Sequence, residues 1–229
     1  MSGPECCSNA PILNPNSGVG HVEKLGGLDT YVMVPLTLTL PFLWFPKKLA
    51  DKVAAAGYYV VVPDFLYGDP FTSENANRPL PIWLKDHQPN EAFEDAKPVI
   101  EALKHKGVLS IGAASFCWGA KVVVELAKSR LIQAAVLLHP SFITLDDIKG
   151  VSIPIAVLGA EIDKYCPPEL LKQFEQLLTT ELGDDCYVKL FPEVSHGWTI
   201  RYKIEDAMAV KAADESHQIL LEWFAKHVK

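Results

Sequence analysis

The run Ala114-Ser115-Phe116-Cys117-Trp118-Gly119-Ala120 constrains this chain more than any other. It stands between residues 108–114, an apolar stretch that reads as a short buried strand, and Lys121 to Lys128, which reads as a helix carrying Val122, Val123 and Leu126. A strand that turns at once into a helix brings two backbones nearly into contact, so the positions two before and two after the turn must be small. Ser115 and Gly119 meet that demand. The residue at such a turn is thrust above the sheet, and the first N–H groups of the helix can receive an anion. Here that residue is a thiol. Free cysteine is also among the most buried residue types, so the run alone reads equally well as the seam of a core strand and helix.

The rest of the chain separates the two readings. In the α/β-hydrolase pattern such an elbow nucleophile is followed by an acid and then a histidine, in that chain order, each just beyond a strand. Pro154 to Gly159 is a strand pattern followed by Ala160-Glu161-Ile162-Asp163, and Tyr187 to Phe191 is another followed by Pro192-Glu193-Val194-Ser195-His196-Gly197-Trp198. Cys117, Asp163 and His196 therefore fall in the required order and context. Imidazole would take the thiol proton and later activate water, while the carboxylate fixes the tautomer. His139 also closes a strand pattern, Ala134 to His139, but a packed or hydrogen-bonded histidine is the better reading there.

Further strands and helices alternate. A helix over 47–56 ends at Gly57, and Tyr58 to Val62 is an apolar strand closed by Pro63-Asp64. Helices follow at 91–106, with Phe93, Ile100 and Leu103 at core spacing, at 169–182, opened by Pro167-Pro168, and at 206–228. Such alternation predicts an α/β fold with a mostly parallel central sheet flanked by helices. Residues 64–90 form a long connection rich in proline and aromatics, a length commonly functional, and are assigned to the rim of a substrate pocket.

Phe116-Cys117-Trp118-Gly119, Gly159 to Asp163 and Ser195-His196-Gly197 together resemble the dienelactone hydrolase family, the Cys-His-Asp branch of the α/β-hydrolases, and its plant members above all. The resemblance covers the chain from about residue 20 onward, giving an irregular leader at 1–20 and one α/β-hydrolase domain at 21–229. It implies hydrolysis of enol-lactones and other activated esters through a thioacyl intermediate, with no metal or organic cofactor. The Trp118 N–H is the expected oxyanion donor. Cereal relatives of the family have been labelled endo-1,3;1,4-β-glucanases, so glycan hydrolysis is the alternative activity. That chemistry usually needs paired carboxylates about 5–9.5 Å apart, and Glu161, Asp163 and Glu193 form no obvious pair.

Two departures from the family pattern stand out. Ser115 occupies the place of the first glycine of Gly-x-Cys-x-Gly, which the turn accommodates with some crowding. The stretch from Met33 to Pro46 holds no Asp, Glu or Gly and reads as an abnormal or shortened strand-loop segment. The family's second oxyanion donor and the carboxylate that manages its resting thiol have no counterpart there. An irregular splice or gene model is the simplest origin. A catalytically impaired or non-catalytic member is therefore a third reading.

A carboxylate-bearing substrate needs a cation at the rim. Of three arginines, Arg78 in the long connection and Arg201, five residues past His196, are candidates, whereas Arg130 belongs at the far end. Trp118, Trp198, Tyr67 and Trp83 would supply aromatic walls for a planar lactone or a sugar face. With 229 residues, 49% hydrophobic, the chain can bury a substantial core. A net charge of −7 argues against nucleic-acid or anionic-membrane partners, and no apolar run reaches the roughly 20 residues of a membrane span. Five cysteines, no metal-ligand spacing and no signal-peptide pattern fit a reduced cytoplasmic protein acting as a monomer or weak homodimer on a small-molecule ester. Cys6 and Cys7 read as part of an irregular tail.

Overall fold

A computed structural model describes residues 20–33, 42–43, 47–71, 75 and 77–229. The leader with Cys6 and Cys7, and all of the 33–46 segment except Met33 and Phe42–Leu43, lie outside them. Among the described residues eight strands form one sheet: β1 (His21–Leu25), β2 (Leu28–Met33), β3 (Phe42–Leu43), β4 (Val60–Pro63), β5 (Gly112–Cys117), β6 (Ala134–Pro140), β7 (Ile155–Ile162) and β8 (Cys186–Ser195). Their spatial order is β1-β2-β4-β3-β5-β6-β7-β8. β1 and β2 pair antiparallel, as do β2 and β4, and every later pairing is parallel. This is the mostly parallel α/β sheet that the alternation of elements predicts, and the α/β-hydrolase architecture that the family resemblance implies.

The helices are α1 (Lys47–Ala55), α2 (Leu80–Asp86), α3 (Pro89–His105), α4 (Gly119–Lys128), α5 (Leu145–Lys149), α6 (Pro168–Leu182) and α7 (Ala207–His227). Strand periodicity sorts them onto two faces. Ala135 and Leu137 of β6, with Ile155 and Val157 of β7, join a core with α3, α4, α5 and α6. The alternate residues Val136, Leu138, Ala156 and Leu158 face a second core with Leu49 and Val53 of α1 and Leu220 and Phe224 of α7. Covered on both sides, β6 is buried along its whole length, which is why it reads as an unbroken apolar run.

One hairpin goes unread in the sequence, and two readings need amendment. Gly26-Gly27, both at positive φ, turn β1 into β2; that pair between two strand-forming runs signals a hairpin. The long connection after β4 contains α2, whose Pro79 and Pro81 suit a helix's first turn rather than a bare loop. The strand assigned to 108–114 runs instead from Gly112 to Cys117. Gly112 lies where α7 comes closest, since a Cβ there would sit 2.7 Å from the Phe224 ring. Phe42–Leu43, within the stretch expected to be abnormal, pairs with both β4 and β5 in the middle of the sheet.

Candidate active site

Because β5 to β8 are parallel, their C-terminal ends share one edge, where open α/β sheets place their ligands. Cys117 ends β5 with φ +49°, left-handed for a non-glycine residue, and Trp118 leads into α4 at φ −53°, ψ −38°. The strained turn lifts the thiol off the sheet and aims the start of α4 beneath it. Ser115, in the glycine position, is buried with its hydroxyl lacking a hydrogen-bond partner among the described residues. An uncompensated buried hydroxyl costs on the order of 1–3 kcal/mol.

Asp163, one residue beyond β7, has a side chain sealed from solvent. Its Oδ1 accepts the N–H groups of Tyr165 (2.8 Å) and Cys166 (3.3 Å), an arrangement that leaves Oδ2 facing His196. His196, one residue beyond β8, has Nδ1 2.6 Å from that oxygen. A carboxylate only accepts, so Nδ1 carries the proton and Nε2 is the basic nitrogen. The His196 ring is held edgewise between two others, with centroids 4.9 Å from both Tyr165 and His139. Of the competing acids, Glu161 is engaged by backbone: its Oε2 accepts the Glu193 N–H at 2.7 Å.

The turn after β6 completes this edge. Cys117 pairs in register with Pro140, and Ser141 next to it donates its N–H to the Cys117 carbonyl (3.1 Å) and sets its hydroxyl 3.3 Å from Cys117 Sγ. His139, on the other side of Pro140, is packed and hydrogen-bonded, its Nε2 2.8 Å from Thr199 Oγ1. Burial, then the neighbouring His196 and Arg201, hold its imidazole well below the usual histidine range, so it stays neutral. Sequence reasoning missed Ser141 and Thr199 altogether.

The substrate-side candidates divide. Trp198 and Arg201 stand beside His196 and line, with Ser195, Lys203 and Met208, an open groove of about 650 Å³. Trp198 is buried, its ring against His139 and Phe191, and so walls the site from behind. Arg78, Trp83 and Tyr67, the remaining rim candidates, each have a partner among the described residues. Arg78 clasps Asp69 (2.6 Å) and Asp86 (2.8 Å), Trp83 is buried with its indole N–H on the Asp69 carbonyl, and exposed Tyr67 bonds Asp95. The Asp95 hydrogen bond pushes the Tyr67 phenol up to about 12. The Trp118 indole donates to the His87 carbonyl (3.0 Å), tying the connection after β4 to the turn at Cys117. Among the described residues no group of His, Cys, Asp and Glu is arranged to hold a metal, and no helix is long and apolar enough to cross a membrane.

Residues 45–228 match the family model described as the dienelactone hydrolase family. The chain belongs to the dienelactone hydrolase family. That family places it among hydrolases acting on ester and lactone bonds. A maize protein named endo-1,3;1,4-beta-D-glucanase is 44% identical over 132 residues, 58% of this chain but only 42% of the maize protein's length. A carboxymethylenebutenolidase homolog of Xenopus tropicalis is 29% identical over 187 residues, covering 80% of this chain and 76% of its own. Among solved structures, a putative dienelactone hydrolase of Klebsiella pneumoniae superposes with a TM-score of 0.72 over 91% of this chain and 98% of its own. At 16% identity that likeness is one of fold.

Proposed function

We propose that this chain hydrolyses small lactones or activated esters with Cys117 as nucleophile, His196 as general base and acid, and Asp163 as the group that orients the imidazole. The observation carrying the reading is the 2.6 Å contact between His196 Nδ1 and the sealed Asp163 carboxylate, at the sheet edge where Cys117 leaves β5 at positive φ. His196 Nε2 takes the thiol proton, and the thiolate attacks the carbonyl carbon. The C–S bond forms as the carbonyl electrons move onto oxygen. The Trp118 N–H at the start of α4 faces that oxyanion. Collapse breaks the C–O bond, and the leaving oxygen takes the proton from the imidazolium. Water then attacks the thioester with His196 as base, releasing acid and thiolate.

Thiolate is itself a good leaving group, so the reaction favours substrates that expel a still better one, such as an enolate or phenolate. Arg201, beside His196, would receive a substrate carboxylate. The glycosidase reading suggested by the maize relative's name has less support. Asp163 is enclosed and engaged by three groups, while the Glu161 carboxylate is taken up by the Glu193 backbone N–H. The 33–46 segment, read as lacking a second oxyanion donor, makes a slow enzyme the expectation, since one lost donor costs about 10²–10³ in rate.

The test is hydrolysis of p-nitrophenyl acetate with mass spectrometry of the quenched protein. Wild type should accumulate an acetyl adduct on Cys117, and Cys117→Ala should lose both adduct and turnover. Turnover undiminished in Cys117→Ala overturns the assignment. Cleavage of mixed-linkage glucan that survives Cys117→Ala but not Glu161→Gln or Glu193→Gln would establish the glycosidase instead.

A further inference from the structure

We infer that Ser141 is a positioning residue for the Cys117 thiolate, a role that rests on the assignment of Cys117 as nucleophile. Ser141 is 1% exposed, so its hydroxyl is not in place to serve solvent. It is fixed at both ends: the backbone N–H donates to the Cys117 carbonyl at 3.1 Å, and Oγ lies 3.3 Å from Cys117 Sγ. The residues around it are set for that placement. His139 and Phe142 both adopt left-handed backbone, φ +40° and +61°, so the chain bends sharply on either side of Pro140-Ser141. In the same turn His139 packs edge-on to His196. One short segment thus touches both partners of the nucleophile pair.

A serine hydroxyl can accept from a thiol, but against a thiolate it must donate, and such charge-assisted bonds are the stronger kind. The contact therefore favours the ionised sulfur and lowers the pH at which Cys117 becomes reactive. The other ionisable groups at this edge are Asp163, Lys164 and Tyr165 after β7, His196 and Arg201 after β8, and neutral His139 near the end of β6. All of them stay in place when Ser141 alone is changed, so the hydroxyl's part can be read by difference.

The experiment follows iodoacetamide alkylation of Cys117, by peptide mass spectrometry, from pH 4 to pH 10 in wild type, Ser141→Ala and Ser141→Thr. The alanine variant should move the half-maximal point up by about one pH unit and slow alkylation about tenfold below the wild-type midpoint. The two curves should converge at high pH. Threonine, which keeps the hydroxyl, should restore the wild-type midpoint. Its kcat/KM on p-nitrophenyl acetate should follow the same order along the acid limb. Superimposable alkylation curves for wild type and Ser141→Ala overturn the inference. So does an equal, pH-independent slowing in both variants, which would mean the hydroxyl only fills space. The readout is independent of turnover: if Cys117→Ala kept esterase activity, the nucleophile assignment would fail while the thiol midpoints still reported on Ser141.

Discussion

Two neighbouring parts of the molecule bury histidines and treat them in opposite ways. At the ends of β7 and β8, His196 meets a sealed carboxylate at 2.6 Å. A few residues on, Thr199 forms a seat for two others: its hydroxyl is 2.8 Å from His139 Nε2, and its carbonyl accepts from His217 Nε2 at 2.9 Å. Neither of these finds a carboxylate on its ring. His217 Nδ1 instead faces the Lys52 ammonium at 3.5 Å, which suits a neutral ring with the proton on Nε2. Burial and then Lys52 push His217 down to about 4, and burial likewise keeps His139 neutral. Residue type and burial are shared by all three. The partner decides which histidine can carry a charge through a reaction and which is scaffold.

The largest break in this comparison removes the partner. Asp163→Asn should turn the His196 site into one like the Thr199 seat. The amide can donate as well as accept, so Nδ1 no longer has to hold the proton and the developing imidazolium loses its counter-charge. A fall of about 10⁴ in kcat is expected, with KM little changed and Cys117 still open to iodoacetamide. Loss of less than tenfold would mean that another group orients the ring.

The second prediction concerns protons at the seat. His217 has a folded-state pKa of about 4 against 6.5 for the ordinary side chain, so between those values the unfolded chain binds more protons. Stability is therefore fully present above pH 6.5 and declines as pH falls toward 4, by about 3 kcal/mol at most from this residue. Lys52, Asp214 and the Thr199 carbonyl face the ring and remain in a His217→Gln variant. Urea unfolding at pH 7 and pH 4.5 should show a smaller difference for that variant than for wild type. Asp214, lowered first by its bond to Lys52 and least by His217, also loses stability on acidification, and the Lys52 part of that loss is common to both proteins. Equal slopes for wild type and variant would remove His217 from the account.

Legibility in the sequence follows a similar division. Cys117, Asp163 and His196 can be found because each comes at or just after a run of β-forming residues, and parallel strands carry such positions to one edge. The neutral reading of His139 as a packed histidine needs only its place at the end of a buried strand. Ser141 carries no such mark. Its contact with Cys117 arises from the register that sets Cys117 opposite Pro140, together with the bulge after Phe116, and pairing register is not written in either strand alone. Thr199 is equally silent, since its two partners sit 60 residues before and 18 after it. The partners of Arg78, Trp83 and Tyr67 are illegible for the complementary reason. Proximity in the chain to a pocket rim says nothing of whether Asp69, Asp86 and Asp95 will engage them first.

The smallest predicted effect isolates the hydroxyl of the seat. Thr199→Val exchanges an oxygen for a methyl group at a position 1% exposed and leaves the backbone carbonyl to His217 untouched. His139 Nε2 then loses its partner within a site that water does not reach, which should cost on the order of 1 kcal/mol in urea unfolding with an unchanged m value. The acid limb of kcat/KM, assigned to the proposed Cys117–His196 pair, should keep its midpoint, because a histidine already held neutral has no charge to contribute there. Turnover should fall only as far as the edge contact between His139 and His196 loosens. A displaced acid limb in Thr199→Val would show that His139 exchanges protons with the site, and the line drawn here between the carboxylate-bound histidine and its neutral neighbours would have to move.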